Sequence, residues 1–318
     1  VAFSAKASLA TAIGRSSYWF LHTFFKGGSS LPGKLANRLD PHVLQALGHN
    51  YDVIVVTGTN GKTLTTSLIV KVLKQKYQEV LTNPTGSNML QGITTAFLAQ
   101  PKSGHGRGIA VLEVDEANVA PVAAQLKPKA FVLTNIFRDQ MDRYGEFYTT
   151  YQKILDGITL DPTAVVLANG DAPIFSSRKL PNPIYYYGFT LTNEGDHKAP
   201  PNTDGVLCPV CQHILHYHAL TYANLGNFFC PNCGFKRPEL TYQVNAVTKN
   251  DAAKAVSLSL TVNPVTLTSA ACTTSTMPLP HLQLAERLMS ALNKSAKRLP
   301  TMKKSSDVRK SFSSGPKS

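Results

Sequence analysis

A doubly wound α/β fold with a mostly parallel sheet is what this chain predicts, on three observations. Short β-branched runs alternate with helix-like segments across residues 51–187, the first run leads into a glycine loop that opens a helix, and several runs are continuously apolar. Continuous apolarity is expected of strands covered on both faces, and strand–helix alternation builds a parallel sheet with ligands beyond its strand carboxyl ends. The strands expected are 52–57, 79–82, 109–114, 130–135, 164–168 and 184–187, and the clearest helices are 63–77 and 147–157.

Taken in order, residues 1–48 read as an N-terminal helical segment, with Tyr18, Trp19, Phe20, Phe24 and Phe25 on the apolar side of a short helix. Lys6, Arg15 and His22 interrupt the stretch, so it reads as neither a membrane span nor a signal peptide. Docking on a membrane surface or a partner is the alternative use of that helix. Residues 49–200 form the central domain, 201–244 an inserted cysteine module and 245–318 a tail.

The glycine loop carries the first chemistry. Strand 52–57 runs into Thr57-Gly58-Thr59-Asn60-Gly61-Lys62-Thr63 and then a helix. Glycines let backbone N–H groups curl toward phosphate oxygens at the positive helix end. Lys62 adds charge near the β- and γ-phosphates, and the Thr63 hydroxyl suits Mg²⁺. The loop therefore reads as an ATP site, although Val56 stands where GxxxxGK[ST] has its first glycine.

Of the five cysteines, four form Cys208-x-x-Cys211 and Cys230-x-x-Cys233, separated by 18 residues. Two thiolates on each tight knuckle suit a structural zinc ion, so the module reads as a four-Cys zinc ribbon rather than a disulfide frame. A cytoplasmic protein follows from that usage. Gly234 follows the second pair, where a left-handed step is easy. His213, His216 and His218 read as exposed strand residues rather than ligands. Tyr217, Tyr222, Phe228, Phe229, Lys236 and Arg237 read as the ribbon's own core, with a nucleic-acid stacking surface as the rival. The net charge of +13 lies mostly in the tail, so nucleic acid is not the expected partner.

The loop Thr57–Thr63 resembles that of the Mur ligases and folylpolyglutamate synthetases, which join amines to carboxylates through acyl phosphates. Leu112-Glu113-Val114-Asp115-Glu116 falls where that family places a Mg²⁺-binding glutamate, which nominates Glu113; a solvated acidic strand end is the other reading. The stretch 134–145 resembles the family's Thr-Asn-Ile…Asp-His-Leu-Asp…Gly element, with Gln140 in place of the histidine, and Asn169-Gly170-Asp171 its Asn-x-Asp motif. Thr82-Asn83-Pro84-Thr85-Gly86-Ser87-Asn88, with Asn83, Thr85 and Asn88 facing substrate, and the cysteine pairs resemble the MurT-type branch, the synthetase subunits of lipid II isoglutaminyl synthase.

That resemblance implies an ATP- and Mg²⁺-dependent amide ligase subunit of peptidoglycan synthesis, with structural Zn²⁺. It would amidate the D-glutamate α-carboxylate of lipid II using ammonia from a glutaminase (glutamine amidotransferase) partner, at the inner face of the membrane. The alternatives are a zinc-ribbon nucleic-acid-binding P-loop ATPase, or another amino-acid ligase of the Mur or folylpolyglutamate type.

After Val262 the chain becomes Ser/Thr/Lys-rich and reads as disordered. Residues 268–278, back-translated with chosen wobble bases and read in a shifted frame, permit I-G-G-L-Y-N-I-Y-N-A. This resembles the G-x-x-N-x-x-N-A element that closes the family's central domain. A frameshift between about Asn245 and Thr268 is the expectation. With it goes a missing C-terminal ligase domain, the acceptor-side catalytic residues that domain would carry, and an inactive isolated chain.

Overall fold

The computed structural model describes residues 4–25, 30–84, 86–100, 107–137, 146–190, 195–199, 207–250, 255–262, 265–268 and 272–273. Three helices come first: α1 (Ala5–Phe25), α2 (Leu31–Leu39) and α3 (Val43–Gly48). The central domain follows with β1 (Tyr51–Thr57), α4 (Lys62–Leu73), β2 (Val80–Leu81), α5 (Leu90–Ala99), β3 (Gly108–Glu113), α6 (Val119–Leu126), β4 (Ala130–Leu133), α7 (Glu146–Ile158), β5 (Val165–Asn169) and β6 (Ile184–Phe189).

Along the sheet these strands stand in the order β6-β5-β4-β1-β3-β2, all pairing in parallel. The chain steps outward from β1 to β2, back to β3, and then to β4 on the other side of β1. That reversal is the switch point where doubly wound sheets open a crevice. The six expected strands and two expected helices are present, with ends displaced by a few residues. The helix expected to reach residue 77 ends at Leu73 and continues as turns.

Strand β1 shows why its run is apolar throughout. Val53 and Val55 pack with α5, α6 and α7, whereas Ile54 and Val56 pack with α4, and all four are fully buried. Each such side chain contributes about 1.5–3 kcal/mol of burial. Strand alternation thus supplies two cores at once.

The N-terminal helix departs from expectation. Its buried residues are Ala7, Ala10 and Gly14, while Trp19, Phe20, Phe24 and Phe25 are exposed. Small residues let α1 lie close against α2 and α5, so the aromatic side is not the packing side. A Cβ on Gly14 would meet Leu98 Cδ1 at 2.7 Å.

The cysteine module is a separate three-stranded antiparallel sheet, β7 (His197–Lys198), β8 (His216–Tyr222) and β9 (Leu225–Phe229). The chain then rejoins the main sheet through β10 (Tyr242–Asn250), whose residues 242–244 pair in parallel with β6. Strands β11 (Ala255–Val262), β12 (Val265–Thr268) and β13 (Cys272–Thr273) extend that edge antiparallel. The boundary expected at 244/245 therefore falls inside β10, at a register shift between Val244 and Ala246. Within the tail expected from Asn245, residues 245–250, 255–262, 265–268 and 272–273 are stranded. Their signal in the sequence is the period-two alternation of residues 255–262, AVSLSLTV. Residues 274–318 lie outside the described residues, as do Thr85, 138–145 with Gln140, and 200–206.

Candidate functional site

Loops after β1, β3 and β4 converge at the switch point. Gly58 has φ +125° and Gly61 φ +82°, backbone conformations that favour glycine. A Cβ on Gly58 would lie 2.3 Å from Thr134 Oγ1 and 2.6 Å from Asn135 O, so this loop passes directly over the end of β4.

Asn135 fixes the loop from both sides. Its Oδ1 accepts from Asn60 N–H at 2.9 Å and its Nδ2 donates to Asn60 O at 3.0 Å. Its backbone carbonyl accepts from Thr59 N–H at 2.7 Å, and Phe137 N–H donates to Thr59 Oγ1 at 3.0 Å. Thr134 Oγ1 donates to Thr57 O at 3.3 Å. These bonds hold the turn open toward the N-terminus of α4, which begins at Lys62.

Lys62 Nζ donates to Gly58 O and Thr59 O and forms an ion pair with Glu116 at 3.3 Å. Thr63 Oγ1 donates to Glu113 Oε2 at 2.8 Å. Glu113 is a buried carboxylate at the end of β3, and its backbone is locked by Asn83. The Asn83 Oδ1 accepts from Glu113 N–H and its Nδ2 donates to Glu113 O, each at 2.9 Å. Asn88 O accepts from Asp115 N–H at 3.0 Å. A hydroxyl and a carboxylate oxygen side by side are a hard donor set of the kind Mg²⁺ takes. An open cleft of about 470 Å³ adjoins them, lined in part by Thr63, Ser67, Lys71, Lys74, Asn83 and Glu113.

The four cysteine Sγ atoms lie within 4.8 Å of one another and could hold a metal ion. Cys208 and Cys233 are 3.6 Å apart, and Cys211 and Cys230 3.5 Å. Tetrahedral coordination at zinc–sulfur lengths calls for sulfur separations of about 3.8 Å, so the donor set fits. The two knuckles repeat one geometry. Gln212 (φ 62°) and Gly234 (φ 73°) each step left-handed after the second cysteine. Cys208 N–H donates to His213 O at 2.7 Å and Cys230 N–H to Phe235 O at 2.6 Å. The Asn232 side chain, aided by the His213 backbone, holds the Cys211 thiol down at about 6, while burial pushes Cys208 up to about 12.

Tyr217 and Phe228 are fully buried and form the ribbon's core, while Tyr222 is exposed with its ring 6.0 Å from that of Phe137. His213 and His218 are exposed, and the half-buried His216 sits 2.6 Å from Asp196. None of the three belongs to the metal-type cluster. Arg237 turns away from the ribbon: its Nη1 donates to Asp171 Oδ1 at 2.9 Å and to Phe189 O at 2.8 Å.

The structure brings together the loop residues, Thr63, Glu113, Asn83 and Asn88, whereas Thr85 lies outside the described residues. Sequence reading did not nominate Glu116, Asn135 or the Asp171–Arg237 pair as site residues. Asn135 and Asp171 lay inside stretches singled out by resemblance, and Glu116 stood at the end of the acidic run.

Fold and loop together define an α/β domain of the P-loop kind with a cysteine module docked on it. The profile of the Mur ligase middle domain matches residues 56–233, and the chain belongs to that family. It is 52% identical over 244 residues to the lipid II isoglutaminyl synthase (glutamine-hydrolyzing) subunit MurT of Streptococcus pneumoniae, covering 77% of this chain and 54% of that protein. Its identity to the MurT subunit of Staphylococcus aureus is 37%, over 70% of this chain and 50% of that one. The chain thus spans about half the length of these curated relatives. In fold it is similar to MurF ligase from Thermotoga maritima in complex with ADP, with TM-score 0.53 and 15% identity, covering 82% of this chain and 50% of that one. A MurF from Acinetobacter baumannii gives TM-score 0.52 at 12% identity, covering 82% of this chain and 47% of that one.

Proposed function

We propose that this chain is the nucleotide-binding part of an ATP-dependent ligase subunit that amidates the D-glutamate α-carboxylate of lipid II to D-isoglutamine. The observation that carries the reading is the pairing of Thr63 with Glu113 beside Lys62, on a loop clamped by Asn135. The likeness to the MurT subunits supports the choice of substrate.

A carboxylate is a poor acyl donor until its oxygen is converted to a leaving group. In the proposed reaction a carboxylate oxygen attacks the γ-phosphorus of ATP, the bond to the β-phosphate oxygen breaks, and ADP leaves. Ammonia from a glutaminase partner then attacks the acyl carbon, inorganic phosphate departs, and the amide loses its surplus proton to water. The N–H groups at the start of α4 and the Lys62 ammonium, released from Glu116, would face the charge gathered on the transferring group. Thr63 and Glu113 would hold Mg²⁺, which supplies charge neutralisation on the phosphate oxygens. Lys71 and Lys74 line the adjoining cleft, where an anionic acceptor would enter.

Cys208, Cys211, Cys230 and Cys233 would hold a structural Zn²⁺, with all four positions filled by sulfur. The test is amidation by the complete protein with glutaminase, glutamine, MgATP and lipid II, read by mass spectrometry of the muropeptide. The expected result is a carboxylate-to-amide exchange that depends on Lys62. An unchanged muropeptide, with nucleotide nonetheless bound, would rule the substrate out.

A further inference from the structure

We infer that the outer face of the α1–α2 pair seats on an anionic lipid bilayer. This rests on the reading above in one respect, since a lipid-linked substrate favours a bilayer over a protein as the occupant. The remainder of the argument comes from the surface itself.

The two helices are built inside out. Their inward residues are small: Ala7, Ala10 and Gly14 on α1, and Pro32, Gly33 and Ala36 on α2. A Cβ on Gly33 would come within 1.9 Å of Gln91 O, so the backbones approach α5 too closely for larger side chains. The large apolar residues point outward instead. Leu9, Ile13, Phe20 and Phe24 fall within an arc of roughly 60° at 3.6 residues per turn, and all four are exposed. Leu31, Leu35 and Leu39 repeat that exposure at every fourth residue of α2. At the end of α1, Trp19 is 63% and Phe25 68% exposed. The rings lie against one another there, with centroids 5.0 Å apart for Phe20–Phe24, 5.9 Å for Phe20–Phe25 and 6.2 Å for Trp19–Phe24. Among the described residues nothing covers this patch.

Charge identifies the occupant. Residues 4–39 contain no Asp or Glu, but carry Lys6, Arg15, Lys26, Lys34 and Arg38. Lys6, Lys34 and Arg38 are exposed. An apolar patch rich in Trp and Phe with a basic fringe complements anionic headgroups, each basic group strengthening binding about fivefold near such a surface. No helix among the described residues is long and apolar enough to cross a membrane, so the pair would lie on the surface rather than span it.

Trp19 is the only tryptophan of the chain, and its emission therefore reports on the patch alone. The 318-residue chain would be mixed with phosphatidylglycerol–phosphatidylcholine vesicles and with phosphatidylcholine vesicles. The expected result is a blue shift and co-sedimentation with the anionic vesicles, weakened by added salt. Phe20→Ser with Phe24→Ser should weaken binding about tenfold or more, and Lys34→Glu with Arg38→Glu should remove the preference for anionic lipid. MgATP affinity measured on the same samples should be unchanged, so failure of the nucleotide reading and failure of this one are separable. Absence of a blue shift with anionic vesicles would overturn the inference. So would emission already blue in a dimer without vesicles, which would assign the patch to a second copy.

Discussion

Arg237, four residues beyond the last cysteine, donates from Nη1 to Asp171 Oδ1 at 2.9 Å across the seam between ribbon and sheet. The side chains are 13% and 2% exposed. Phe189 N–H satisfies the other carboxylate oxygen at 2.9 Å, and Gly226 N–H reaches Asp171 O at 2.9 Å. One aspartate after β5 thus ties β6, the β8–β9 hairpin and the second knuckle together.

Arg237→Ala should destabilise the domain by about 3–5 kcal/mol, because it leaves a buried carboxylate unpaired. Burial pushes the Asp171 carboxyl above its ordinary 3.8, opposed by Phe189 N–H and by Arg237. A raised folded-state value means that this group's contribution to stability is lost as pH climbs from about 3.8 through that raised value. Without Arg237 the value rises further and the loss is larger. The gap between parent and variant should therefore be widest at neutral pH and narrow on acidification, as read from urea midpoints. A gap independent of pH would contradict the role given to the pair.

Lys62→Ala should weaken MgATP binding by about 1.5–3 kcal/mol, the worth of a hydrogen bond to a charged group, or about ten- to a hundredfold. Thermal stability should fall less than affinity does: Lys62 opens α4, and the variant gives up only its bonds to Gly58 O and Thr59 O and the ion pair with Glu116, whose side chains are 13% and 15% exposed. Isothermal titration at equal protein quality decides the matter. An affinity equal to the parent's would remove the loop from the nucleotide site.

Gly58→Ala adds a Cβ 2.3 Å from Thr134 Oγ1 at a φ of +125°, a strain of about 1–3 kcal/mol. The loop must lift off β4 to accept it, so nucleotide affinity should fall more than stability does. Paired calorimetry and thermal melts would show this as a large change in binding beside a modest change in melting temperature.

Cys208→Ser or Cys233→Ser should release the metal and loosen the ribbon, whose small core of Leu215, Tyr217 and Phe228 has little else to hold it. The parallel sheet has its own two cores and should keep its far-UV spectrum. Elemental analysis of the parent should find zinc near one atom per chain, and its absence would count against the four-sulfur assignment.

Much of this architecture was legible because its signals are local. A glycine loop between an apolar run and a helix, and two CxxC pairs, need no tertiary knowledge to be read. Asn135 and Glu116 were harder, since each acts on a residue at least 54 positions away and only the folded sheet makes them neighbours. The exposure of the α1 aromatics was not legible, because periodicity says which residues share a face, not whether that face is covered. The strands past Asn245 were passed over because the Ser/Thr/Lys-rich stretch after Val262 and the shifted-frame reading drew the start of the tail back to Asn245, ahead of the alternation at 255–262.

The clamp on the phosphate loop sets a clock as well as a shape. Thr59 and Asn60 spend their amide protons on Asn135, so these should exchange with deuterated water slowly whether or not nucleotide is present. The first amides of α4, which by helix geometry have no acceptor of their own, should exchange quickly until phosphate arrives. A loop already set in this way has no folding step to wait for. Nucleotide should therefore associate in a single exponential phase, its rate rising linearly with concentration.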